Sequence, residues 1–118
     1  MDEAELKSRT KRFALRCMKL ADSLPNSHSG RTLAGQLVRS GTSVGANYRS
    51  ACRGRSKAEF VSKLGNVEEE ADESAFWMEL MIEGGLKSAR LVDPLRDEAD
   101  QLTRIMAASI RKARGPRK

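Results

Sequence analysis

Apolar residues recur along this chain at three- and four-residue steps, the spacing that lines one face of an α-helix. Leu6, Phe13, Cys17, Leu20 and Leu24, with Thr10 filling a gap in the series, predict a first helix over residues 3–24. Pro25-Asn26-Ser27-His28-Ser29-Gly30 breaks it. A second stripe of Leu33, Leu37, Val44, Tyr48 and Ala51 predicts a helix over 30–53, with Gly54 as its stop. Ser56-Lys57-Ala58-Glu59 has the form of a capping box, in which the serine oxygen accepts from the third helical amide and the glutamate reaches back. It opens a third helix over 56–84, whose face runs through Phe60, Leu64, Val67, Ala71, Ala75, Met78 and Ile82 to Gly84-Gly85. Asp93-Pro94 offers an N-cap and a first-turn proline for a fourth helix over 93–113, with Leu95, Ala99, Leu102 and Met106 on its stripe.

Short connections between long amphipathic helices make sequence neighbours antiparallel. The pattern therefore predicts an all-α fold, an antiparallel up-down four-helix bundle over residues 1–113, followed by a basic C-terminal tail at 114–118. Phe13, Leu20, Leu37, Val44, Leu64, Val67, Met78, Leu102 and Met106 are its expected interior. Gly41 and Gly45 stand one turn apart in the second helix. Such a pair lets a neighbouring helix approach closely, and that packing has to offset about 1 kcal/mol of helix propensity per glycine.

At 118 residues the chain suits one domain. No apolar run reaches the roughly 18 to 20 residues that span a bilayer, and Met1-Asp2-Glu3-Ala4-Glu5 is acidic where a signal peptide is basic and then apolar. The expectation is a cytoplasmic protein with no membrane partner, in which Cys17 and Cys52 are buried free thiols. Charge is segregated. Residues 1–55 hold 11 Lys/Arg against 4 Asp/Glu, residues 56–100 hold 5 against 12, and residues 101–118 hold 6 against none. Segregation along the chain predicts segregated faces.

On a helical wheel Arg31, Arg39, Arg49 and Arg53 fall within about 80° of one another, opposite the second helix's apolar stripe. Arg9, Arg12, Arg16 and Lys19 form a similar band on the first helix, and Arg111, Lys112, Arg114 and Arg117 charge the C-terminal end. If the two bands merge across the hairpin, they make a basic face able to replace counterions along a phosphate backbone. The plainer reading is a solvated surface balanced by a neighbour's acids. Aromatic residues are only 4% of the chain, too few to interleave with the cations for base stacking, so recognition would go by shape and charge.

The third helix carries a second apolar patch, Phe76 and Leu80 with Trp77 at its edge, on the side away from its core stripe. Such a patch marks a protein interface, here self-association, unless a wide bundle or the tail covers it. The acidic run Glu68-Glu69-Glu70-Ala71-Asp72-Glu73 either pairs with the basic bands of an adjacent subunit or is a solvated face. Chemistry finds little purchase. The single histidine, His28, falls in a loop, neither cysteine has a histidine near it in sequence, and no phosphate loop or G-x-S-x-G elbow occurs. The expectation is therefore no enzyme, no metal and no cofactor, with Ser40 and Asn47 serving helix contacts.

Arg39-Ser40-Gly41-Thr42-Ser43-Val44-Gly45-Ala46-Asn47, followed by Arg55-Ser56-Lys57-Ala58-Glu59-Phe60, resembles the four-helix-bundle proteins encoded within intervening sequences of bacterial 23S rRNA genes. That family pairs an RS-x-x-S-x-x-x-N segment with an RS-x-x-EF helix start. The chain also resembles the accessory variability proteins of diversity-generating retroelements. It departs at Arg49-Ser50-Ala51, where the commoner pattern has a Glu-Gly pair after the asparagine, and this adds positive charge. The resemblance implies a homopentameric bundle that engages nucleic acid. Taken with the surfaces, the expected function is a non-catalytic, self-associating bundle that binds RNA or DNA through its basic helical surface. The alternative is an adaptor or scaffold engaging an acidic protein partner such as a polymerase-type enzyme.

Overall fold

The ends of the helices follow the capping residues. Asp2 accepts the Glu5 amide at 2.8 Å and opens α1 (Glu3–Asp22). Ser27 accepts the Gly30 amide at 3.0 Å and opens α2 (His28–Cys52), two residues earlier than the loop signal predicts. The Pro25 carbonyl oxygen lies over Gly30, where a Cβ would fall within 2.0 Å of it, so glycine is what allows the loop to fold this tightly onto the helix. Ser56 accepts the Glu59 amide at 3.1 Å and opens α3 (Lys57–Glu83), while the Glu59 carboxylate accepts from the Arg55 amide rather than from that of the cap itself. At the far end of α3, Gly85 adopts φ 72°, Leu86 N–H donates to Met81 O at 2.8 Å, and Gly85 N–H donates to Ile82 O at 3.1 Å. This is a Schellman closure, which needs a residue without Cβ at its left-handed position.

The fourth helix corrects the expectation. α4 (Ala89–Arg114) starts from Ser88, ahead of Asp93, and carries Pro94 inside its second turn. A proline there removes the bond to Arg90 O. Starting earlier buries Val92 completely, and Asp93 forms an ion pair with Arg96 at 3.2 Å instead of capping. The computed structural model describes residues 1–116; Arg117 and Lys118, the last two residues of the expected tail, lie outside them. Among the described residues there is no strand, and no helix is long and apolar enough to cross a membrane.

The molecule is a four-helix bundle measuring 50 × 25 × 22 Å. Helices adjacent in sequence pack along their lengths, α1 and α4 touch only sparsely, and α1 and α3 lie diagonally with no close backbone approach. All nine expected interior residues are buried, joined by Met81, Val92 and Ile110. Gly41 and Gly45 face α1: a Cβ on Gly41 would stand 2.6 Å from Cys17 Sγ, and one on Gly45 3.4 Å from Thr10 O. The close α1–α2 approach is thus made at glycine, as the small-residue pair predicts. Both cysteines are free; Cys17 is buried and Cys52 half-buried. Burial pushes the Cys17 thiol up to about 12.

Buried polar groups are paired. Thr10 Oγ1 donates to Leu6 O at 2.8 Å. Ser40 and Ser74 join α2 to α3 at 2.8 Å, and Ser74 donates to Glu70 O at 2.8 Å, so the Ser40 hydroxyl is the donor between the two serines. The exception is Trp77 Nε1, buried with no acceptor among the described residues.

Candidate nucleic-acid interface

The close approach of α1 and α2 at the two glycines determines which cations meet. Lys7 and Lys11 from α1 and Arg49 from α2 line one shallow groove, with Ala14, Thr42 and Ala46 beneath them. Lys7 is tied to Glu3 at 3.2 Å, an exposed i,i+4 pair of small energetic weight. Lys11 and Arg49 are exposed and have no ion-pair partner among the described residues. Two unpaired cations reaching from neighbouring helices over small residues make a site that a phosphate can approach. Lys11 is absent from the sequence-derived set. Its position one turn from Lys7 was the available signal, but only the packing shows that this edge of α1 turns toward Arg49.

The α1 band does not merge with the α2 band. Arg9 points to α4: its Nε and Nη2 each donate to a Glu98 oxygen at 2.7 Å, and Nη2 also donates to Gln101 Oε1 at 2.9 Å. Hydrogen bonding to Glu98 raises the Arg9 pKa above its ordinary value. This fork clamps the side of the bundle where packing is thinnest, so Arg9 is committed within the chain. Arg12 is exposed on the same edge, and Arg16 and Lys19 line a cleft against α4 together with Lys87, Leu91 and Pro94. The band therefore runs along the α1–α4 edge, because its centre lies on the opposite side of α1's core stripe from Lys7 and Ala14.

The α2 band divides as well. Arg39 turns to α3, pairing with Glu70 at 3.4 Å and more closely with Glu73. Glu70 nevertheless keeps a raised pKa, since burial and the adjacent Glu73 outweigh Arg39. The guanidinium therefore relieves repulsion between two acids on α3, and Arg39 and Ser40 together pin α2 to that helix. Arg31 donates to Asn26 Oδ1 at 2.9 Å and remains exposed. Arg53 is exposed at the end of α2. At the same end of the bundle, Lys57 of α3 and Arg114 of α4 line a common pocket, and Arg111 and Lys112 are exposed on the last turn of α4. The α2 and α4 cations also complement the negative ends of those helices, a structural role that needs no ligand. Phe76 and Leu80 are exposed, whereas Trp77 is half-buried between that patch and the core, its ring 5.4 Å from that of Phe76. No group of three or more His, Cys, Asp or Glu among the described residues is placed to hold a metal ion.

These features define an all-helical bundle with charge-segregated edges. The family model for 23S rRNA-intervening sequence proteins matches residues 2–108, and the chain belongs to that family. It is similar to a protein of unknown function from the S23 ribosomal protein family of Bacteroides thetaiotaomicron VPI-5482, solved by crystallography. The two are 29% identical and superpose with a TM-score of 0.84 over 90% of this chain and 98% of the other. No curated protein matches the chain.

Proposed function

We propose that this protein binds nucleic acid without catalysis, holding the phosphate backbone with the α1–α2 groove and the basic end of the bundle, and that it does so as an oligomer. The observation that carries this reading is the pair Lys11 and Arg49, exposed, unpaired and facing one groove from two helices. Family membership supports RNA as the first ligand to try. Self-association, to five copies on the pattern of the resemblance, would bring together about +30 of net charge and many grooves, raising affinity through multivalency. The expected location is cytoplasmic.

The test is fluorescence anisotropy with labelled RNA and DNA of about 20 nucleotides across a salt series. Binding should be broad in sequence and fall steeply with salt. Arg49→Ala and Arg53→Ala should each lower the slope of log affinity against log salt by roughly 0.7 to 0.9 if each cation meets one phosphate. Arg39→Ala should leave the slope unchanged, because that side chain is taken up by Glu70 and Glu73. Absence of binding at about 50 mM salt refutes the reading, since charge-driven attraction is strongest at low salt. The adaptor function, with an acidic protein against the same surface, would then stand.

A further inference from the structure

Two exposed apolar patches lie on diagonal helices of the bundle, and they carry opposite charge. On α1, Leu15 and Met18 are 57% and 42% exposed. The positions one turn from Leu15 on either side are Lys11, Arg12, Met18 and Lys19, so the patch is bordered by three exposed cations. On α3, Phe76 and Leu80 are 50% and 36% exposed. The positions one turn from Phe76 are Asp72, Glu73, Glu79 and Leu80, so this patch is bordered by three acids. Arg39 holds Glu73, but Asp72 and Glu79 are exposed without an ion pair among the described residues, as are Arg12 and Lys19.

The two patches match in kind: a pair of apolar side chains one turn apart, framed by charges at the same helical offsets and of opposite sign. They cannot satisfy one another within one chain. α1 and α3 do not approach each other, each packing instead on α2 and α4. An apolar patch in water favours burial, and a charged border of one sign selects a border of the other and rejects its own kind.

We infer that the α1 face of one copy docks on the α3 face of a second copy. Leu15 and Met18 meet Phe76 and Leu80, and Arg12 and Lys19 meet Asp72 and Glu79. An α3 face against another α3 face would set acids against acids, so the contact joins unlike surfaces, head to tail. Every added copy leaves one α1 face and one α3 face open, and growth stops only when a ring closes. The contact also divides the cations of the sequence-derived set: Arg12 and Lys19 serve subunit pairing, while Arg49 and Arg53, on α2, stay open to phosphate. This pairing rests on the self-association within the proposed function, and its test reads assembly alone, without nucleic acid.

The experiment uses two full-length double variants, Leu15→Glu/Met18→Glu and Phe76→Lys/Leu80→Lys, with light scattering coupled to size exclusion. Wild-type protein should be a multiple of 13.0 kDa. Each variant alone lacks one half of the contact and should run as a monomer with wild-type helix content by circular dichroism. Mixed in equal amounts, the intact α3 face of the first meets the intact α1 face of the second, giving a dimer of about 26 kDa at the least. Assembly of the Leu15/Met18 variant to the wild-type size overturns the pairing, as does a mixture that stays monomeric. A wild-type monomer overturns self-association itself. If either apolar variant fails to fold, Arg12→Glu/Lys19→Glu should weaken association at least about tenfold, and adding Asp72→Lys/Glu79→Lys in the same chain should restore it; failure of that rescue refutes the charge match.

Discussion

Replacing Gly41 by Ala puts a Cβ 2.6 Å from Cys17 Sγ and 2.7 Å from Cys17 Cβ. Non-bonded carbons rest at about 3.5 to 4.0 Å, so the α1 backbone at Cys17 must retreat by roughly 1 Å. The Cys17 Cβ is fixed to that backbone and cannot rotate away. Overpacking a filled core costs about 1–3 kcal/mol, whereas Gly→Ala inside a helix returns about 1 kcal/mol of propensity. Both contacts are under 3.0 Å and one is with a Cβ fixed to the backbone, so the cost belongs in the upper half of that range, about 2–3 kcal/mol, and the expected net loss is about 1–2 kcal/mol. Two other glycines calibrate the argument. Gly45→Ala meets Thr10 O at 3.4 Å, an ordinary contact, and Gly65→Ala meets nothing within 4 Å. Gly65→Ala should therefore gain about 1 kcal/mol and Gly45→Ala between about 0 and 1 kcal/mol. Urea unfolding followed by circular dichroism at one fixed protein concentration measures the series, because the proposed self-association would tie stability to concentration. In a Cys17→Gly background the cost of Gly41→Ala should shrink by about 1 kcal/mol or more. A Gly41→Ala protein as stable as wild type, or an unchanged cost in that background, would show that α1 does not rest on Gly41.

The Arg9 fork gives a second test. Arg9→Lys keeps the charge but replaces the planar fork by a single ammonium nitrogen that cannot meet the two Glu98 oxygens in parallel, so it should still lose about 1–2 kcal/mol in the same assay; full stability of the Lys variant would reduce the clamp to a simple charge pair. Cys17 gives a pH test. Its thiol is raised from 9.0 to about 12 by burial, so the unfolded chain ionises first. The stability conferred by the neutral buried thiol is complete below about pH 9 and is lost as pH rises from there toward 12. Tyr48, raised above its ordinary 10.0 chiefly by burial, acts in the same direction at the upper end of that window. Cys17→Ala should therefore flatten the decline just above pH 9 while leaving the later fall in place, and an unchanged profile between about pH 8 and 10 would contradict the burial of the thiol.

Helix identity, helix order and most of the core were legible because each rests on local chemistry. The three- and four-residue spacing places Phe13, Leu37, Leu64 and Leu102 on inward faces whatever the neighbours are, and Ser56 caps α3 through an amide three residues away. The glycine pair could be read for the same reason: a missing side chain is informative even before its partner is known. The start of α4 was misplaced because Asp93-Pro94 is a good local signal that tertiary burial of Val92 overrides.

The candidate interface was legible only in part. A wheel gives the angle of Arg9 or Arg39 about its own helix axis, but not which neighbour stands at that angle, and arginine is long enough for the neighbour to decide its use. Packing turned Arg9 to Glu98 and Arg39 to Glu70 and Glu73, leaving both engaged within the bundle. It also set Lys11 beside Arg49 and carried Arg12, Arg16 and Lys19 to the opposite edge of α1. The one-dimensional pattern therefore determined the four helices, their apolar faces and the separation of charge along the chain. Only the assembled bundle decided which charges cancel within it and which stay open to a partner, because ion pairing depends on distances of a few ångströms between residues as far apart in the chain as Arg9 and Glu98.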